Sequence, residues 1–305
     1  MNTRPLLLIV AAGILLAGCA APPTAIAPTA PPTIGLDDLV APGTQFVPVI
    51  TGANLMEGPL YLPDGRWIVS EIAANTVWAF DANGNKTTFL NPSNNANGHA
   101  PDAQSRIIQA EHGTAAIARI TADGTRTVLA DKFEGKRFNS PNDVVVKRDG
   151  SIWFTDPTYG LGDRTSELGY TGVFRLDPNT GAVTLLTKAL TQPNGIAFSR
   201  DERTLYVSAS GRITAFAVNA DGTLGEGKDF GPGNDGLKVD ALGNVWSTGG
   251  QGVDVIRADG KLLGTLPLPE NSTNIAFGGP DGKTVFVTTF KGVYRLVAKV
   301  AGPAR

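Results

Sequence analysis

The chain has 305 residues, 26 Lys and Arg against 28 Asp and Glu, and a net charge of −2. That balance gives no basic surface for nucleic acid. One Cys and two His exclude a disulfide framework and a thiolate zinc site, so any metal here is expected to be held by oxygen. With 37 Gly and 21 Pro the chain is rich in turn residues and poor in material for long helices.

In chain order, the first element is a leader. An apolar run from Leu6 to Leu16 follows Arg4 and ends in Leu16-Ala17-Gly18-Cys19. The run is too short for a membrane-spanning helix and fits the apolar region of a secretory signal. Its end resembles a bacterial lipobox, which predicts a signal peptide over 1–18 and a lipid anchor on Cys19. Ala20, where inner-membrane retention uses Asp, points to the outer membrane facing the periplasm. An Ala/Pro/Thr-rich tether is expected over 19–44, because proline-dense segments stay extended and build no core. The globular domain is expected over 45–305.

Within that domain a unit recurs: a polar turn, then a short apolar strand. Its copies include Pro63-Asp64-Gly65, Asp149-Gly150-Ser151 and Asp281-Gly282-Lys283. Taking Gly65, Ser105, Gly150, Glu202, Gly243 and Gly282 as anchors, the spacings are 40, 45, 52, 41 and 39 residues. That is the period of a four-stranded propeller blade. Five further turns lie between the anchors, at Gly84, Gly124, Gly181, Gly222 and Gly260. Six inner turns and five outer ones leave the last blade one strand short, and Phe46 to Ile50 is expected to supply it. The fold class is therefore all-β, a six-bladed β-propeller closed by an N-terminal strand.

Eight residues before each anchor stand Glu57, Asn97, Asn142, Asn194, Asp235 and Asn274. Equivalent positions in a ring project toward one axis, so six oxygen-bearing side chains are expected at one mouth of the channel. Carboxylates with amide oxygens are hard donors suited to Ca²⁺, Mg²⁺ or Mn²⁺. The same residue types also cap turns at strand starts, and Asn97 and Asn274 fit either role.

Around these positions the sequence resembles the gluconolactonase/SMP-30/regucalcin family of six-bladed propeller lactonases. The densest likeness runs through Glu111-His112-Gly113, Gly135 to Asp143 and Phe154 to Gly160. The resemblance implies one divalent cation, Ca²⁺ first with Mg²⁺, Mn²⁺ or Zn²⁺ compatible, held by Glu57, Asn142, Asn194 and Asp235. It makes Asp235 the general base for water attack on a lactone; Asp143 is the runner-up. Asn97, His112, Asp143, Tyr159 and Asn274 are expected to contact substrate. Ala110 replaces the usual Cys, and Thr158 the usual Pro. His99 brings a second His near the mouth, and the polar stretch Asn91 to Asp102 is expected to be a longer loop. A serine esterase is disfavoured, since no Gly-x-Ser-x-Gly elbow occurs. A non-catalytic, membrane-tethered propeller remains the alternative to a lactonase acting on a sugar lactone, another lactone or a small ester.

Overall fold

A computed structural model describes Met1 and residues 34–303; the predicted signal peptide, Cys19 and most of the tether lie outside the described residues. One four-residue helix, α1 (Leu36–Leu39), precedes a chain of antiparallel strands. After β1 (Val47–Thr51), the strands β2–β5 (Met56–Tyr61, Trp67–Glu71, Thr76–Phe80, Lys86–Leu90) pair in chain order into one sheet. The second sheet is β6–β9 (Ala96–Pro101, Ile107–Glu111, Ala116–Ile120, Arg126–Ala130). A short hairpin, β10 (Lys132–Phe133) with β11 (Lys136–Arg137), leads to the third, β12–β15 (Val144–Val146, Ile152–Asp156, Gly172–Leu176, Val183–Thr187). The fourth is β16–β19 (Pro193–Phe198, Thr204–Ala209, Arg212–Val218, Leu224–Pro232).

The remaining strands, β20–β25 (Leu237–Val239, Val245–Ser247, Gly250–Ile256, Leu262–Gly278, Thr284–Thr289, Gly292–Val297), join β1 in a seven-stranded sheet. The 17-residue β23 causes this merger. Its first part pairs with β22 through Leu266 and Pro267, and its last part pairs with β24 from Ser272 to Gly278. The first strand pairs with the last, Val47 opposite Arg295 and Thr51 opposite Gly292. The six leading strands touch in a closed cycle: β2, β6, β12, β16, β20, β23 and back to β2.

The turn anchors share one backbone state. Gly65, Gly150, Gly243 and Gly282 have positive φ, and so do Ser105 (59°) and Glu202 (58°). The two non-glycine anchors therefore adopt the left-handed conformation that glycine supplies elsewhere, at some steric cost.

Apolar strand faces pack between neighbouring sheets. Trp67 of β3 stacks on Phe286 of β24, with ring centroids 3.6 Å apart. Trp153 of β13 meets Phe198 of β16 edge-on at 5.0 Å. Folded structure begins upstream of the expected boundary at residue 45. Leu39 and Val40 are buried with Trp246, Val253 and Leu296, so the α1 segment seals one sheet face rather than belonging to an extended tether.

One buried charge has a defined partner. Glu111 is fully buried, and its carboxylate takes two bonds from Arg126, at 2.7 and 2.6 Å. Removing one member of such a pair strands the other. Arg126→Ala is expected to lose about 3 kcal/mol of stability, and a paired Glu111→Met/Arg126→Met change to recover most of it. Urea midpoints read both. A loss under about 1 kcal/mol for the single change, as for an exposed pair, would contradict the assignment.

Candidate metal and active site

The six positions found by counting form a circuit. Gly58 approaches the next strand so closely that a Cβ there would lie 2.0 Å from the Asn97 carbonyl. The Gly98 N–H donates to the Asn142 carbonyl at 2.9 Å. Thr155 Oγ1 accepts from the Asp143 N–H and donates to the Asn194 carbonyl. Ser208 Oγ accepts from the Gly195 N–H and donates to the Asp235 carbonyl. The Gly236 N–H donates to the Thr273 carbonyl at 2.8 Å. Asn274 Nδ2 closes the circuit by donating to Glu57 Oε2 at 3.0 Å.

Local backbone explains how a strand residue turns inward. Four of the six lie inside leading strands rather than before them, at or beside breaks in register: Glu57/Leu60, Ala96/His99, Pro193/Ile196 and Ser272/Asn274. A bulge re-aims a side chain that regular alternation would send to a sheet face. Asn142 and Asp235 stand just before β12 and β20, as expected from the sequence.

A set of hydroxyls was missed in the sequence. Ser70, Thr155, Ser208, Thr248 and Thr288 lie 13 or 14 residues after Glu57, Asn142, Asn194, Asp235 and Asn274. Ser70 reaches the Asn97 carbonyl, Thr248 the Thr273 carbonyl, and Thr288 holds Thr273, which reaches the Met56 carbonyl. Ser70, Thr155 and Ser208 each tie one sheet to the ring residue of the next, while Thr248 and Thr288 act through Thr273, beside Asn274. The signal was available as a second period, offset from the first. The second sheet has Ala110 at this place and relies on the Gly98 backbone bond.

The electrostatics of the ring are unusual. Three buried side-chain oxygens, Asn97 Oδ1, Asn194 Oδ1 and Asp235 Oδ1, have no hydrogen-bond partner. Buried acceptors without donors are costly and uncommon. Burial pushes the Glu57 carboxyl up to about 7, with the Asp143 charge adding to the rise and bonds from Gly58 and Asn274 opposing it. Burial, then Glu57 and Asp143, raise Asp235 well above the usual carboxylate range. Oxygens that lack donors beside carboxyls that resist ionisation fit a hard divalent cation. Among the described residues no three His, Cys, Asp or Glu side chains are grouped as a metal site; this ring supplies two carboxylates and depends on amide oxygens for the rest.

The other expected contacts divide. His112 Nε2 lies 3.1 Å from Asn97 Nδ2, and burial, followed by the charge of Arg164, lowers its pKa to about 4. Tyr159 is exposed, and the pKa of its hydroxyl is raised by burial and then by the charge of Asp235. Asp143 is buried, accepting from the Val144 N–H and lying 3.6 Å from Lys238 Nζ. Asn274 has both polar ends engaged, its oxygen accepting from the Ile275 N–H while its nitrogen holds Glu57.

One expectation is corrected. Asn91 to Asp102 is not one longer loop, because β6 begins at Ala96. Its polar residues are accommodated by bonds inside the fold. His99 is buried between the Gly58 carbonyl (2.7 Å), next to Glu57, and Gln109 Oε1 (3.2 Å).

Residues 55–291 match the family model described as SMP-30/Gluconolactonase/LRE-like region. The chain belongs to that family. A gluconolactonase from Zymomonas mobilis is 31% identical to this family member over 303 residues, covering 88% of this chain and 85% of that one. Pentonolactonase XacC from Haloferax volcanii is 28% identical over 275 residues, covering 80% and 84%. A solved structure of a gluconolactonase from Xanthomonas campestris superposes with a TM-score of 0.81 at 36% identity, covering 86% and 92%. The family member's antiparallel sheets, read with these neighbours, give a propeller-like fold.

Proposed function

We propose that this protein is a divalent-metal-dependent lactonase that opens sugar lactones, built as a six-bladed propeller closed by its N-terminal strand. The cycle of six leading strands and the pairing of β1 with β25 support that architecture. The similarity to gluconolactonases and a pentonolactonase supports the substrate class. The observation that carries the metal reading is the set of three buried, partnerless oxygens beside two carboxyls of raised pKa.

In this reading Glu57, Asn142, Asn194 and Asp235 hold the cation. When bound, it supplies an electrophile for the lactone carbonyl and acidifies water. The Asp235 carboxylate takes a proton from the water that attacks the carbonyl carbon. The same carboxyl returns that proton to the ring oxygen as the ester C–O bond breaks, leaving a hydroxy acid. Asn274 holds the Glu57 carboxylate in place rather than touching substrate. Asp143, bonded to backbone and facing Lys238, tunes the charge below the ring. Tyr159, an exposed side chain, meets substrate hydroxyls in this reading. The leader reading adds a lipid anchor on Cys19 and a place in the cell envelope, at the outer membrane facing the periplasm.

The test is hydrolysis of glucono-1,5-lactone followed by pH-stat. Activity is expected to vanish on EDTA treatment and return with Ca²⁺, Mg²⁺, Mn²⁺ or Zn²⁺. Hydrolysis unaffected by EDTA would refute the metal dependence. Purified protein that hydrolyses no lactone would leave the non-catalytic propeller in its place.

A further inference from the structure

Resting on the metal-site reading above, we infer that His112 is a positioning residue that fixes the polarity of the Asn97 amide and makes Asn97 Oδ1 a fifth protein oxygen of the cation site. An asparagine amide has two faces of opposite character, one a donor and one an acceptor. Only the acceptor face suits a cation. Asn97 Nδ2 faces His112 Nε2 at 3.1 Å, and Oδ1 is left buried without a partner, like Asn194 Oδ1 and Asp235 Oδ1. In the opposite orientation the NH₂ group would face the ring, its positive end toward the place a cation occupies.

The His112 backbone is anchored through both its N–H and its carbonyl, and its ring packs against Gly160. The His112 backbone N–H donates to the Asn95 carbonyl at 3.1 Å. Its carbonyl accepts from Arg164 Nη2 at 3.1 Å, and the same nitrogen binds the Asn139 carbonyl at 2.7 Å. Gly160 lies flat against the ring, where a Cβ would come within 2.3 Å of Cγ. An Asn97 donor requires Nε2 to be an acceptor, so the ring proton sits on Nδ1. Asn97 itself is only 1% exposed, and the close approach of Gly58 to its carbonyl keeps it against the Glu57 strand.

Three variants and two readouts test the inference. Ca²⁺ affinity is measured by calorimetry and, with Tb³⁺ in its place, bound waters are counted from luminescence lifetimes in H₂O and D₂O. Asn97→Leu is expected to weaken Ca²⁺ binding about tenfold or more and to add one bound water. Asn97→Asp is expected to strengthen binding. His112→Leu, which leaves Asn97 chemically intact, is expected to weaken it by about 10–100-fold, the range for residues that orient a metal ligand. Nitrogen-15 NMR of the Ca²⁺-loaded wild type is expected to show His112 protonated on Nδ1. Unchanged affinity and water count in Asn97→Leu, or a proton on Nε2, would overturn the inference while leaving the four-residue site intact. A wild type that binds no divalent cation would refute the metal reading itself, and this inference with it. Circular dichroism checks the fold of each variant, and the NMR readout on wild type decides the orientation even where a variant fails to fold.

Discussion

Asp235→Asn is expected to lower lactone hydrolysis by about two to four orders of magnitude, the contribution of a positioned general base, while leaving the protein folded. The substitution keeps an oxygen and nearly the same shape. It removes the negative charge and the ability to accept a proton. Asp235 stands where the backbone tolerates the change. Its carbonyl is held by Ser208 Oγ and its N–H points to the Thr248 carbonyl, neither of which involves the carboxylate. Its Oδ1 has no partner to lose. Near-wild-type turnover at saturating cation would remove Asp235 as the base. Glu57→Gln provides the contrast: it disturbs the bond from Asn274 and removes one of two ring charges, so it is expected to weaken cation binding first, and excess cation should recover part of its rate. If both variants lose only cation affinity, Asp143 becomes the group to examine, since its carboxylate lies close enough to raise both.

The ring was legible because it is a repeat. A fixed offset of eight residues from a left-handed turn survives even where Ser105 and Glu202 replace glycine, since the backbone state persists without the residue that signals it. What the offset could not convey was the bulge. Alternation assigns Glu57 to a sheet face, and only the broken register between Glu57 and Leu60 turns it inward. Polarity misled at Asn91 to Asp102, where Asn97 and His99 read as loop but are buried in a strand with partners drawn from elsewhere in the chain. Long-range bonds of this kind leave no local trace. The α1 segment was passed over for a related reason: four residues after a proline-rich stretch carry no periodicity, and Leu39 matters only because Trp246 and Leu296 surround it. Asn274 looked equivalent to its five counterparts, yet its neighbour across the circuit is a carboxylate, so its amide serves Glu57.

Cation binding is expected to be coupled to proton release, with a sign fixed by the direction of the two carboxyl shifts. Without cation, Glu57 titrates at about 7 and Asp235 well above its usual range, burial being the main cause for each. Below pH 7 the empty ring therefore carries a proton on Glu57, and burial favours the protonated form of Asp235 as well. A cation must displace such protons, so its apparent affinity rises with pH, by up to about tenfold per unit for each proton released. The same shift bears on stability. A carboxyl whose folded pKa is raised favours the protonated folded state, so its stabilisation is complete below the unfolded value near 4.5 and is lost as pH climbs through about 7. For Glu57 that loss is about 3 kcal/mol. A bound cation offsets it, since occupancy at about a hundred times Kd adds about 2.7 kcal/mol, or roughly 5 °C in a domain of this size. The rise in melting temperature between EDTA and Ca²⁺ should consequently be small at pH 5.5 and several degrees at pH 8, and calorimetry in buffers of different ionisation enthalpy should show protons leaving as Ca²⁺ binds. Equal shifts at the two pH values with no buffer dependence would show that these carboxyls are already ionised in the empty site, and that burial does not govern their charge.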